Sequence, residues 1–218
     1  MDGLTYEDVK SDRVLVFADW KLTDINNIKI SQNYYHKEGV FTNVEIDNIS
    51  NLVTLLSPLI NEATINANGA LVANELYRKS KVLWIPKNEH TLWIYSKLGE
   101  IAIEVNKEMG WDFDLTAMTE CIQYTEYDSE YQGFYDWHLD IGNNTSSKRK
   151  ISISIQLSPD KEYEGGDLEF KTGRCIETAP KKDNCAILFP SYFLHRVKPV
   201  TKGVRKSLVL WISGPKFK

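Results

Sequence analysis

The stretch Tyr135-Asp136-Trp137-His138-Leu139-Asp140 sets the terms for the rest of the chain. On a β-strand, side chains two apart point to the same face. The spacing therefore predicts an imidazole of His138 beside a carboxylate of Asp140, which is half of a metal site. A third ligand has to come from elsewhere, and the chain has 4 His. His195, in Phe189-Pro190-Ser191-Tyr192-Phe193-Leu194-His195-Arg196-Val197, is the best placed, on a later predicted strand. Two His and one carboxylate on one side of an ion leave the opposite side open, the donor set of a non-haem Fe(II) site. Taken alone, a His-x-Asp also occurs by chance in surface loops, and a lone His is more often a core or surface residue. His36 and His90 have no ligand partner at strand spacing and receive no role.

Working outward, residues 116–215 read as short strands broken by turns: Met118–Tyr127, Tyr135–Ile141, Ile151–Leu157, Asp167–Phe170, Cys185–Phe189, His195–Val197 and Val204–Ile212. Glu164-Gly165-Gly166-Asp167 and the loop 142–149 are explicit breaks. Upstream, Val14–Ala18 reads as a strand, residues 19–40 carry no clear pattern, and Lys81–Ile85 is a strand stopped by Pro86. Two helices are expected. Thr42-Asn43-Val44-Glu45 has capping-box form, with Ile49, Leu52, Val53 and Leu56 at helical spacing and Pro58 as the stop. Leu98, Ile101, Ala102, Val105 and Met109 form a second stripe, closed by Gly110. Helices followed by many strands predict an α+β chain with a mainly β core: a jelly roll with N-terminal helices packed outside. One domain is expected, with 1–115 as a mostly helical support and 116–215 as the catalytic core.

Two strands say what their faces do. Ile151, Ile153, Ile155 and Leu157 alternate with Ser152, Ser154, Gln156 and Ser158. Leu208, Leu210 and Ile212 alternate with Arg205, Ser207, Val209 and Trp211. Half-exposed strands with solvated polar faces would give the same alternation. An Arg, a Ser and a Trp on one face favour the other arrangement: apolar faces outward under the helices, polar faces around a cavity.

Composition excludes several classes. The 218 residues suffice for a full core, and 42% hydrophobic with 26% charged content is ordinary for a globular protein. A net charge of −4 offers no electrostatic case for nucleic acid. The longest apolar runs, such as Leu208–Ile212, are too short for a membrane span, and the N-terminus lacks a secretion-signal layout. Cys121, Cys175 and Cys185 are odd in number and unrelated in spacing, so a reducing, cytoplasmic setting is expected.

An ordered set of motifs resembles the Fe(II)/2-oxoglutarate-dependent dioxygenases, closest to the prolyl 4-hydroxylase-like branch. It comprises Gln123-Tyr124, Tyr135 to Asp140, Arg149-Lys150-Ile151-Ser152, Gln156-Leu157-Ser158, Tyr163 to Phe170, Phe189-Pro190-Ser191, His195-Arg196-Val197, Gly203-Val204-Arg205 and Trp211 to Pro215. With Arg78-Lys79-Ser80 it runs from Arg78 to Pro215. The resemblance implies a double-stranded β-helix with His138, Asp140 and His195 as Fe(II) ligands. It also implies Arg205, aided by Ser207, on the far carboxylate of the cosubstrate 2-oxoglutarate. A Tyr before the His-x-Asp adds a hydroxyl: Tyr127 is the first choice and Tyr124 the second, because Asp128–Gln132 departs from the common spacing. Gln156, in the matched text, is counted with these contacts. The implied reaction uses O2, with ascorbate as reductant, to hydroxylate an unactivated C–H and release succinate and CO2. The implied substrate is a prolyl residue of a peptide or protein, with a free amino acid or other small molecule as the alternative. Trp137 and Trp211 are offered as an apolar wall for it, although a Trp in a jelly roll is more often a core residue. A catalytically silent jelly-roll module is the rival from another class, and a zinc hydrolase on the same ligands would leave Arg205 unexplained.

Overall fold

The computed structural model describes residues 34–217 apart from 68, 69 and 73, so the strand expected at Val14–Ala18 lies outside the described residues. In chain order the elements are β1 (Tyr35–Glu38), α1 (Asn43–Leu56), β2 (Asn61–Glu62), β3 (Ile65–Ala67), β4 (Ala70–Val72), β5 (Arg78–Lys79), β6 (Lys81–Ile85) and α2 (Leu92–Glu108). Then follow β7 (Ile122–Asp128), β8 (Phe134–His138), β9 (Arg149–Gln156), β10 (Glu164–Gly165), β11 (Leu168–Thr172) and β12 (Cys175–Thr178). Last come β13 (Cys185–Pro190), β14 (Leu194–Val197), β15 (Val200–Lys202) and β16 (Val204–Ser213). Among the described residues, no helix is long and apolar enough to cross a membrane.

Two antiparallel sheets form the frame. The larger has seven strands in the order β1-β13-β9-β16-β7-β6-β2, and the smaller has five in the order β12-β11-β14-β8-β5. The non-sequential order of each sheet is that of a jelly roll, whose strands pass back and forth between sheets. Residues upstream of 116 contribute strands as well as helices. β1 pairs with β13 and β6 with β7, so residues upstream of 116 complete the large sheet, and β5 extends the small one. The upstream region is therefore part of the roll as well as its support.

The faces of the large sheet separate as the alternation predicts. Ile151, Ile153, Ile155, Leu208, Leu210 and Ile212 join Leu83, Ile85 and Ile122 in one buried cluster with Ile94, Leu98, Ile101 and Val105 of α2. Each such side chain contributes about 1.5–3 kcal/mol by leaving water. Tyr95 fastens the helix to the sheet: its hydroxyl donates to the Ile85 carbonyl at 2.7 Å and accepts from the Ile122 N–H at 2.8 Å. α1 starts at the expected capping box, with Thr42 and Glu45 bonded reciprocally, and gives way to a 3-10 turn at Pro58. A second cluster, including Phe170, Ile187, Phe189, Val197 and Val200, lies on the strands' inner faces. Tyr127, Leu168, Phe189 and Val197 of this cluster also line the cavity between the sheets.

Candidate metal centre and its cavity

β8 and β14 are neighbours in the small sheet, and His138 lies directly opposite His195. The adjacent pair in the register is Tyr135 opposite Val197. β8 thus advances three residues where β14 advances two, which is a β-bulge at Asp136-Trp137. The extra residue overrides simple alternation and puts Tyr135 and His138 on the same inner face, with their rings stacked at 3.5 Å. It also explains why Trp137 is not a cavity wall: its ring lies under Arg196 at 4.5 Å and Lys171 at 5.9 Å instead.

Asp140 departs from the sequence expectation in how it is held. β8 ends at His138, so Asp140 lies beyond the strand rather than on it. Its backbone is pinned to the turn after β13, where the N–H groups of Asp140 and Ile141 both donate to the Ser191 carbonyl, at 3.0 and 3.2 Å. The outcome still brings the three donors together. His138 Nε2 is 3.8 Å from Asp140 Oδ1, His195 Nε2 is 3.7 Å from Oδ2, and all ligand atoms lie within 4.8 Å of one another.

The hydrogen bonds around the triad orient its rings. His138 Nδ1 is 2.7 Å from the Asp136 carbonyl and His195 Nδ1 is 2.8 Å from that of Phe193. A carbonyl only accepts, so each Nδ1 carries a proton and each Nε2 is turned to the common centre, where it is the nitrogen available to a metal. Burial, with His195 alongside, pushes the His138 pKa down to about 3, which keeps that ring a neutral ligand. Burial alone would raise the Asp140 carboxyl, but His195, His138, Arg149 and a bond from Ser152 outweigh it and hold it at about 2. Ser152 Oγ donates to Asp140 Oδ2 at 2.6 Å and is itself 2.9 Å from Ser191 Oγ, leaving Oδ1 as the freer oxygen. Two imidazoles and one carboxylate, oriented by their outer partners and open on one side, suit a divalent iron-type ion.

The open side faces a cavity of about 710 Å³. It is lined by the triad, Arg78, Tyr127, Tyr135, Ser154, Arg205, Ser207 and Trp211, with Trp84, Glu120 and Arg149 further along. Arg205 lies opposite Tyr127 in the register, with its guanidinium carbon 5.4 Å from that ring's centre. It is 1% exposed; Nη1 donates to Ser207 Oγ at 3.3 Å, whereas Nε and Nη2 have no partner among the described residues. A buried guanidinium with two orphaned donors is the counterpart of a carboxylate, so the residues present fit the far end of 2-oxoglutarate. Gly166 is required beside it, because a Cβ there would approach the Arg205 Cδ to 3.0 Å at a φ of +64°.

Of the other sequence candidates, Tyr127 lines the cavity and Tyr124 does not. Tyr124 lies on the outer face among the helix-side core and donates to Glu126 Oε1 at 2.7 Å, so it is withdrawn as a cosubstrate contact. Gln156 lies opposite Ser207, and its Oε1 is buried without a partner. Tyr163, whose hydroxyl is also buried and unpartnered, lies near Arg205 and was not singled out from sequence. The positioning of Asp140 by Ser152 and Ser191 was likewise unread, although the inner face of Ser152 was legible. Arg149 joins this wall: it donates to the Asp140 carbonyl at 3.0 Å, pairs with Glu120 and stacks on Trp211 at 3.7 Å. Only the partners' positions in space reveal that.

Residues 122–213 match the model of the 2OG-Fe(II) oxygenase superfamily. This segment is similar to 2OG-Fe(II) oxygenase domains. The chain is also similar to a PKHD-type hydroxylase of Synechococcus sp. (strain CC9311), 37% identical over 86 residues, or 39% of each chain. A second PKHD-type hydroxylase, from Synechococcus sp. (strain CC9902), is 28% identical over 179 residues, covering 80% of this chain and 78% of its own. The match to the first spans about two fifths of that relative's length. In fold, the chain is similar to a Pseudomonas putida prolyl-4-hydroxylase, with a TM-score of 0.66 at 16% identity over 88% of this chain and 96% of that one. It is also similar to a Trichoplax adhaerens prolyl hydroxylase in complex with a hypoxia inducible factor peptide fragment, with a TM-score of 0.69 at 18% identity over 97% and 94%. The oxygenase family takes Fe(II), 2-oxoglutarate and O2, which agrees with the donor set and with Arg205.

Proposed function

We propose that the protein is an Fe(II)- and 2-oxoglutarate-dependent dioxygenase that hydroxylates an unactivated C–H, releasing succinate and CO2. The observation that carries this reading is the orphaned Arg205 guanidinium lining the same cavity as the His138-Asp140-His195 triad. A silent binding module has no use for both, and a hydrolytic zinc site has none for Arg205. The bound ion and cosubstrate supply the activation of O2; the chain supplies geometry. His138, Asp140 and His195 would hold the ion. Arg205 and Ser207 orient the cosubstrate by its far carboxylate, with Tyr127 beside them. The inner walls exclude water from the reacting carbon.

The substrate proposed is a prolyl residue of a peptide or protein. The support is the prolyl hydroxylase names of its fold neighbours, together with Tyr135 three positions before His138 and the run Gly165-Gly166-Asp167-Leu168. Ascorbate is the reductant proposed to keep the iron ferrous, and a reducing cytoplasmic setting suits the three free thiols. The test is O2-dependent succinate formation from 2-oxoglutarate with Fe(II), and mass spectrometry of a proline-containing peptide library for one added oxygen. Absence of succinate in the presence of ion, cosubstrate and O2 refutes the oxygenase. Turnover stimulated by a free amino acid, and by no peptide, refutes only the prolyl substrate.

A further inference from the structure

Resting on that reading, the charges around the cavity restrict the substrate further. The divalent ion, Asp140, the two carboxylates of the cosubstrate and Arg205 together carry no net charge. Arg149 is neutralised by Glu120. Arg78 is left over. It lines the cavity at 8% exposure, and its guanidinium donates from Nε to Ser80 Oγ at 2.9 Å. No described carboxylate pairs with it, and both Nη groups remain for another partner.

The guanidinium is also preorganised. Its backbone lies opposite Tyr135 across β5 and β8, and the Arg78 N–H donates to the Asn74 carbonyl at 2.8 Å. The neighbouring Tyr77 hydroxyl donates to the Trp137 carbonyl at 2.7 Å. The side chain lies 4.5 Å over the Tyr135 ring, which stacks in turn on His138. The aromatic face contributes about 0.5–2 kcal/mol, and the Nη groups, unlike the enclosed donors of Arg205, remain accessible from the cavity that Arg78 lines. A planar anion entering that cavity matches the guanidinium fork.

We infer that the substrate presents a carboxylate to Arg78 while its reacting carbon faces the metal. That carboxylate is either an acidic side chain near the reacting residue or the terminal carboxylate of a free amino acid or short peptide. The experiment is titration calorimetry on the full chain loaded with Zn(II) and 2-oxoglutarate, which prevents turnover. The probes are matched acid and amide pairs: L-proline with L-prolinamide, Pro-ending tripeptides as free acids and amides, and Pro peptides with flanking Asp or Asn. We expect the acid of at least one pair to bind ten-fold or more tightly, and the pair that responds identifies the source. Arg78→Gln should abolish that preference and Arg78→Lys should retain part of it. The wild-type comparison alone decides the matter if either variant misfolds. No acid binding more tightly than its amide, whether both bind or neither does, overturns the inference. Loss of succinate formation would instead overturn the oxygenase reading on which it rests.

Discussion

Replacing Arg205 by Met tests the cosubstrate pocket through stability as well as affinity. The side chain is 1% exposed, and two of its three nitrogens lack partners. Without ligand it is an uncompensated buried charge, so a Met of similar volume should leave the unliganded protein at least as stable as the wild type. With ligand the sign reverses. Losing the partner of a buried charge costs about 3–5 kcal/mol, which raises the dissociation constant for 2-oxoglutarate by about 10² to a few times 10³. At cosubstrate 100-fold above the wild-type constant, linkage stabilises the wild type by about 2.7 kcal/mol. The same concentration stabilises the variant by about 0.4 kcal/mol or less. Urea unfolding of the Zn(II)-loaded proteins, with and without 2-oxoglutarate, reads both effects. Undiminished stabilisation by 2-oxoglutarate in Arg205→Met would place the carboxylate pocket elsewhere. An unliganded variant that unfolds early would make Arg205 a structural residue.

Three further outcomes follow from the geometry. Replacing His138, Asp140 or His195 with Ala should abolish most Fe(II) binding in anaerobic calorimetry while circular dichroism stays unchanged, because the sheet is held by its helix-side core. Ser152→Ala should weaken the metal by about 10- to 100-fold, the usual effect of losing an orienting partner, with no change in fold; unaltered affinity would mean that Asp140 needs no such positioning. Glu45 is held below its ordinary carboxyl value of 4.5, first by Lys97 and then by Thr42. Its contribution is therefore complete above about 4.5 and is lost as pH falls through the lower folded value. Thermal unfolding should accordingly find Glu45→Gln less stable than the wild type at neutral pH and equal to it in acid.

The sequence was most legible where periodicity and local chemistry agreed. Ile151–Leu157 and Leu208–Ile212 declared both their strands and their faces, and Thr42 to Glu45 declared the start of a helix. β1 was not legible, because Tyr35–Glu38 is an edge strand with alternate residues half-exposed, and its polar side chains give no apolar rhythm. β12 is similar, being mostly exposed at the edge of the small sheet. At the site, His138 and Asp140 were found by a spacing rule whose premise holds only in part, since Asp140 is placed by Ser191 after the strand has ended. Tyr124 and Tyr127 differ by three positions and so fall on opposite faces of an unbulged strand, which decides between them. Trp137, for which the sequence left a wall and a core role open, lies outside the cavity because its strand is bulged.

That bulge makes parity a functional variable. In an even strand, any two residues an odd number apart are estranged by the sheet between them; one inserted residue lets Tyr135 keep company with His138. Deleting Asp136 would restore the even count and turn either the imidazole or the phenol outward, even though no ligand had been touched and the chain had lost a single residue. Transplanting this centre to another scaffold therefore means carrying Tyr135 to Asp140 as one indivisible word, together with a partner strand that is shorter by one residue over the same length.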